Sequence, residues 1–119
     1  MEPIGPEAQL LTRLLSAAEL RMRVLSSNLA NSNTPGYKRQ TVEFESLLRE
    51  AMGRGAPDLG AVVPRVRTDV ETPCRPDGNN VTLEAELNAI RENRLLYETY
   101  AAMLSGQFSL LDLAIRGRG

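Results

Sequence analysis

The chain has 119 residues, a formal net charge of −1 and no histidine. That length suffices for one small domain, and its 14 basic residues are spread among 15 acidic ones, which leaves no basic patch for nucleic acid. Aromatic residues make up only 4% of the chain. Aliphatic side chains and alanine must therefore fill the core, which favours packing of helix on helix.

The N-terminal segment contains no basic residues followed by a long apolar run. It therefore predicts no Sec signal peptide. Elsewhere, no apolar run approaches the roughly 20 residues that a membrane-spanning helix needs. We expect a protein that is not inserted in a membrane and that is exported, if at all, by another route.

The first predicted element is a helix over residues 7–31. Pro6 suits its first turn, where a missing N–H costs nothing. Apolar residues recur along it at intervals of three and four, which is a heptad-like pattern. These seam positions are Leu11, Leu14, Ala18, Met22, Leu25 and Leu29. The spacing predicts a helix that packs one apolar face against a partner.

The helix must stop within the run from Ser27 to Tyr37. Counted from Leu25, two residues earlier, the sequence matches the string L-x-x-N-x-A-N-x-x-T-P-G-Y. Pro35 removes an N–H and disfavours the helical region for Thr34, and Gly36 permits a positive φ. Asparagine amides can bond backbone, a neighbouring helix or another subunit. More turn-forming residues are present than a simple connector requires.

A short irregular middle segment follows, and we assign residues 32–81 to it together with the asparagine-rich loop. Residues 40–52 predict an extended stretch and then a short amphipathic helix. Residues 53–64 are rich in Gly, Pro and Ala and predict a loop. Residues 62–70 alternate weakly, and Pro64 limits them to an edge strand. Residues 72–80 predict turns.

The second long helix is predicted over residues 82–116. Thr82 is placed as its N-cap, and Glu84 and Glu86 lie in the first turn, where the helix dipole favours acids. Its seam positions are Leu83, Leu87, Ile90, Tyr97, Ala101, Leu104, Phe108, Leu111 and Ile115. A second stripe contains Leu96, Tyr100, Met103 and Leu110. Two apolar stripes predict two partners for this helix.

The chain is thus predicted to be mainly α: one domain over residues 1–119, whose long terminal helices pair as a coiled-coil-like layer around a middle segment with at most a weak β edge strand. The set Leu11 to Leu29 is expected to face the set Leu83 to Leu111 within or between subunits. Two helices alone bury little surface, so we expect the isolated chain to be marginally stable.

The asparagine-rich string resembles the N-terminal signature of the flagellar rod, hook and filament-junction proteins. A second string, D-G-N-N-V-x-x-x-x-E-L from Asp77 and then E-N-x-x-x-Y from Glu92, resembles the C-terminal signature of a proximal-rod protein of that family. The sister short rod protein, FlgC, usually opens this helix with a shorter N-V string and carries S-R-x-Y-Q instead. Thr82 and Asn33 depart from the pattern, where Asp is commoner.

This resemblance implies a structural subunit of the proximal rod of the flagellar basal body, exported unfolded through the flagellar type III apparatus. It would lie on the periplasmic side of the inner membrane, above the inner-membrane ring and next to the membrane. Its implied partners are copies of itself, FlgC-type rod proteins, a FliE-type adaptor and export-gate subunits. Cofactors and small-molecule substrates are not expected.

We predict that the residues of both signatures and of the last helix act at a subunit interface and have no catalytic role. These residues are Asn28, Asn31, Thr34, Pro35, Gly36, Tyr37, Asn79, Asn80, Asn93, Tyr97, Leu104, Phe108 and Leu111. Tyr37 is expected to project outward as an interface anchor.

Two alternatives to a proximal-rod subunit stay open at the level of sequence: a helical adaptor or chaperone, and the sister rod protein. An enzyme is disfavoured, because the chain has no histidine, no phosphate-binding glycine loop and no metal-ligand cluster. A soluble helical adaptor or export chaperone, or the sister protein FlgC, would fit the helical pattern. An adaptor should be a well-folded particle of fixed size, whereas a rod subunit should polymerise at high concentration.

Overall fold

The structure, a computed structural model, describes residues 5–55 and 59–117. Two long helices dominate it: α1 spans Pro6–Ala30 and α3 spans Leu83–Gly117. Between them lie strand β1 (Gln40–Glu43), helix α2 (Glu45–Gly53), a 3₁₀ turn (Leu59–Ala61) and strand β2 (Arg65–Thr68). The mainly α fold class is confirmed, and both long helices begin and end within one residue of their predicted bounds.

Helices α1 and α3 pack against each other in opposite directions. The end of α1 meets the start of α3, where Asn28 contacts Glu86, and further along Asn93 donates to the carbonyl of Ala18. On α1, the seam positions Leu11, Ala18 and Leu25 are buried. The terminal helices therefore pair within one chain, as predicted.

The facing surface of α3 differs from the predicted apolar seam. Its two buried residues, Glu86 and Asn93, are polar, and both lie at helical spacing from the half-buried Ile90. Several predicted seam positions stay exposed, namely Leu83, Tyr97, Phe108, Leu111 and Ile115. Helix α1 therefore covers only part of the apolar seam that the sequence pattern predicts along α3.

The middle segment forms a two-stranded antiparallel sheet in which Gln40 lies opposite Thr68 and Glu43 opposite Arg65. The predicted edge strand and the predicted extended stretch before a short helix are both confirmed. Phe44, at the junction of β1 and α2, is buried with Leu48 against Ala17 of α1. This small core holds the middle segment on the face of α1 that α3 leaves free.

Candidate functional site

The most buried side chain of the first signature string is that of Asn28, which lies in the last turn of α1 and is fully shielded from solvent. Its Oδ1 accepts a hydrogen bond from the Gln40 N–H at 2.9 Å, and its Nδ2 donates to the Gln40 carbonyl at 2.8 Å. An amide that binds both groups of one residue replaces the peptide of a neighbouring strand. Asn28 thus satisfies the backbone groups of Gln40 on the outer edge of β1 and joins that edge to α1.

Tyr37 is turned toward the same amide. Its hydroxyl donates to Asn28 Oδ1 at 3.0 Å, and the residue is half-buried. The expectation that Tyr37 projects outward is therefore wrong for the single chain. The turn before it redirects the ring, because Gly36 has a φ of 77°, a conformation that side chains with a Cβ rarely adopt.

The two signature strings contact each other directly. Asn79 is fully buried, and its Nδ2 donates to the carbonyls of Asn31 at 2.9 Å and Thr34 at 2.8 Å. Its Oδ1 accepts from the Val81 N–H at 2.7 Å. One amide therefore satisfies carbonyls at the end of α1 and fixes the backbone that leads into α3.

The glycines of the two strings lie back to back. The Gly36 N–H donates to the Asp77 carbonyl at 2.8 Å. Gly78 has a φ of 86°, and a Cβ built on it would lie 3.3 Å from the Gly36 Cα. The approach of these two backbones leaves little room for a side chain at Gly78. At Gly36, where an added Cβ would meet nothing within 4 Å, the φ of 77° is what favours glycine.

Asn80 links the second string to the sheet. Its Oδ1 accepts from the Arg39 N–H at 2.7 Å, and its Nδ2 donates to the Asp69 carbonyl at 2.8 Å. The Asn80 N–H also donates to the Tyr37 carbonyl at 3.3 Å. The buried amide thus bridges the start of β1 and the end of β2.

Charged groups complete this cluster around Arg39. Its Nε contacts Glu86 Oε1 at 2.6 Å and its Nη1 contacts Asp69 Oδ2 at 3.0 Å. The hydrogen bond with Glu86 raises the pKa of Arg39, and hydrogen bonds from Thr72, followed by the one from Arg39, hold the pKa of Asp69 well below its usual range. The positive charge of Arg39 therefore offsets the negative charge of the Glu86 carboxylate, which has no exposed side-chain surface.

A second polar cluster joins all three helices. Asn93 Oδ1 accepts from Arg21 at 3.0 Å, and Arg21 also pairs with Glu45 at 2.6 Å. The hydroxyl of Tyr100 donates to Glu45 Oε2 at 2.9 Å. Burial, and then that carboxylate, raises the pKa of Tyr100 to about 12. Asn93 and Tyr100 thus position α3 against α1 and the start of α2.

We call the segments 27–41 and 77–86, joined as above, the signature cluster. It uses Asn28, Asn79 and Asn80 for contacts within one chain, and Asn93 is buried in the same way. Asn31 is half-buried, and Thr34, Pro35 and Gly36 are exposed. Sequence reasoning missed Arg39, Asp69, Arg21 and Glu45. It placed Glu86 in the second string and in the first turn of the last helix but did not predict its burial.

A different surface lies at the other end of the molecule. From Leu95 onward most large apolar side chains of α3 are exposed, and we call this segment, 95–115, the uncovered end of α3. Its exposed members are Leu95, Leu96, Tyr97, Met103, Phe108, Leu110, Leu111, Leu113 and Ile115. Leu104 is half-buried beside an open groove that Leu15 and Phe108 also line. Three of the predicted interface residues, Tyr97, Phe108 and Leu111, are therefore available to a neighbour.

Comparison with known proteins shows the family to which the chain is similar. The family described as flagella basal body rod protein matches residues 13–38, most of α1 together with the first signature string. The FlgB flagellar basal body rod protein of Cereibacter sphaeroides is 34% identical over 126 residues, covering 98% of this chain and 95% of its own. The chain belongs to the FlgB family of flagellar basal body rod proteins. It is therefore a structural subunit of the rod, and its location is the flagellar basal body.

Other FlgB proteins match over much of their length. That of Escherichia coli K12 is 30% identical over 105 residues, which cover 73% of this chain and 76% of the relative. That of Bacillus subtilis 168 is 28% identical over 123 residues, or 92% of each chain. The preference for this family over the sister protein FlgC is confirmed.

The described residues hold no group of histidine, cysteine, aspartate or glutamate side chains suited to a metal ion. Within the same ranges, 5–55 and 59–117, no helix has the length and apolar character that crossing a bilayer demands.

Proposed function

We propose that this FlgB-family subunit joins its neighbours in the proximal rod through the uncovered end of α3. One observation carries the proposal: of the fourteen large apolar side chains that are exposed among the described residues, ten lie on α3. Exposed apolar patches of this kind mark interaction surfaces. The interface roles predicted for Tyr97, Leu104, Phe108 and Leu111 belong to this surface.

The composition of the uncovered end supports a helical, apolar neighbour. Between Leu95 and Ile115 the only charged residues are Glu98 and Asp112. Burying apolar surface contributes roughly 25 cal/mol per Å², so packing several such side chains against a similar helix would strongly favour assembly. The exposed turn residues Thr34, Pro35 and Gly36 would form a second contact at the opposite end of the molecule.

The family resemblance supports the finer placement that we propose. Copies of this chain would assemble helically with FlgC-type rod proteins, beside a FliE-type adaptor and the export-gate subunits. The subunit would lie on the periplasmic side of the inner membrane after export that needs no Sec signal peptide. A soluble adaptor or export chaperone is not favoured, because the relatives are rod proteins along nearly the whole chain.

The proposal is tested by placing a charge on the uncovered end of α3. Leu111→Asp in cells that lack the native subunit should abolish complete rods and swimming, because an unpaired carboxylate in an apolar interface costs several kcal/mol. Val70→Asp is the matched control, since Val70 is 81% exposed and lies outside α3. Purified Leu111→Asp protein should keep the helical content of the wild type, since Leu111 is exposed in the single chain. Complete rods in the Leu111→Asp strain would contradict the proposal.

A further inference from the structure

The uncovered end of α3 carries two separate apolar surfaces. The first, which we call the open seam, consists of Phe108, Leu111 and Ile115. It continues the face through which Glu86, Asn93 and Leu104 meet α1, since all these positions are spaced by three or four residues or their sums. Along the open seam, however, 46% or more of each side chain is exposed. An established helix–helix interface thus runs on with no partner among residues 5–55 and 59–117.

The second surface, which we call the outer stripe, consists of Leu96, Met103 and Leu110. At about 100° per residue it lies roughly 110° around α3 from the open seam. Met103 is 55% and Leu110 66% exposed. Tyr100, which the sequence pattern also placed on this stripe, is instead held by Glu45. The outer stripe is therefore an apolar face that no part of the described chain covers.

We propose that the outer stripe of one copy packs into the open seam of the next copy. This inference rests on the proposed function and names the occupant of its surface. Two features support a second copy as that occupant. The open seam continues an interface between two helices of this chain, beside a groove that Leu15, Leu104 and Phe108 line. The outer stripe supplies an apolar helical ridge, because its three members follow one another at intervals of seven residues.

The pairing of two different surfaces has a consequence for assembly. A heterologous contact leaves one free surface of each kind at the two ends, so it adds subunits one after another and grows as an open helix wherever the rotation between neighbours does not close a ring. A seam that paired with another seam would close as a two-fold dimer and leave both outer stripes in water. Open-ended growth is what a rod requires of its subunits.

Adjacent leucines provide a matched pair of variants for the test. Leu111→Asp charges the open seam, and Leu110→Asp makes the same change one residue away, on the outer stripe. Both side chains are largely exposed in the single chain, so both variants should fold. Each alone should self-associate at least about tenfold more weakly than the wild type, because its contact buries an unpaired carboxylate.

Mixing the variants distinguishes the possible pairings. Leu111→Asp protein keeps its outer stripe and Leu110→Asp protein keeps its open seam, so an equimolar mixture should form a one-to-one complex that grows no further. Analytical ultracentrifugation would measure its mass, with Val70→Asp as a control that associates like the wild type. Met103→Asp and Ile115→Asp form a second pair if circular dichroism shows that either first variant has lost its fold.

Three outcomes would overturn this inference alone. Dimers of Leu110→Asp protein by itself would mean that seam pairs with seam. Dimers of Leu111→Asp protein by itself would mean that stripe pairs with stripe. The third outcome is a mixture that forms no complex although the wild type associates. A wild-type chain that stays monomeric at millimolar concentration would instead overturn the proposed self-assembly, and the inference with it.

Discussion

Replacing Arg39 by methionine should destabilise the fold strongly, because it leaves Glu86 buried without a counter-charge. Glu86 has no exposed side-chain surface and Arg39 only 20%, and their charged atoms lie 2.6 Å apart. Removing one partner of a buried ion pair costs about 3–5 kcal/mol. For a domain of this size that loss corresponds to a fall in melting temperature of roughly 10–20 °C. Urea unfolding followed by circular dichroism would give the free energy directly.

Two comparisons show whether the loss comes from the unpaired carboxylate. Arg54→Met removes a partner from an exposed pair with Glu50, whose side chains are 65% and 68% exposed, and it should cost less than about 1 kcal/mol. Arg39→Met combined with Glu86→Met removes both charges and should recover most of the stability that Arg39→Met loses. The reasoning is refuted if Arg39→Met costs no more than Arg54→Met, or if the double variant is no more stable than Arg39→Met alone.

Three further changes test the turn and the two polar clusters. Hydrogen bonds from Thr72 lower the pKa of Asp69. The Asp69 carboxylate therefore stabilises the fold fully above about pH 4, and this stabilisation is lost as the pH falls further. Between about pH 5 and about pH 2, the urea midpoint of Asp69→Asn should therefore fall less than that of the wild type. Gly36→Ala should cost about 1–2 kcal/mol in unfolding free energy because its φ is 77°, whereas Gly53→Ala, in a helix with nothing within 4 Å of the added Cβ, should gain roughly 0.5–1 kcal/mol. The pKa of Tyr100 is raised to about 12, so the Tyr100 hydroxyl stabilises the fold below about pH 10 and this stabilisation is lost at higher pH. Tyr100→Phe should remove the highest-pH step from an ultraviolet titration of the tyrosines.

The elements of the fold could be predicted because each has a local signal. Apolar spacing of three and four residues marked both long helices, and Pro64 limited the second strand to a sheet edge. The string ending at Pro35 and Gly36 marked the end of α1. These signals lie within a few residues of the structure that they specify.

The signature cluster could not be predicted because its contacts join distant parts of the chain. Asn28 and Glu86 are 58 residues apart, and Asn79 and Asn31 are 48 apart. An asparagine amide can bond almost any donor or acceptor, so its residue type does not identify its partner. The spacing of Glu86 and Asn93 from Ile90 was an available signal, since it places polar residues on an apolar seam.

Buried polar residues on that seam have a further consequence for register. Apolar faces tolerate sliding of one helix along another, whereas each buried amide or carboxylate that loses its partner costs about 1–3 kcal/mol. Asn28, Glu86 and Asn93 all have partners in the observed alignment of α1 and α3. Sliding α3 along α1 would break the contacts of Asn93 with Ala18 and Arg21 and the contact between Asn28 and Glu86, so we infer that these polar contacts fix the register of the pair. With register set by polar contacts near the signature cluster, the apolar residues at the far end of α3 are left free to pack against neighbouring subunits.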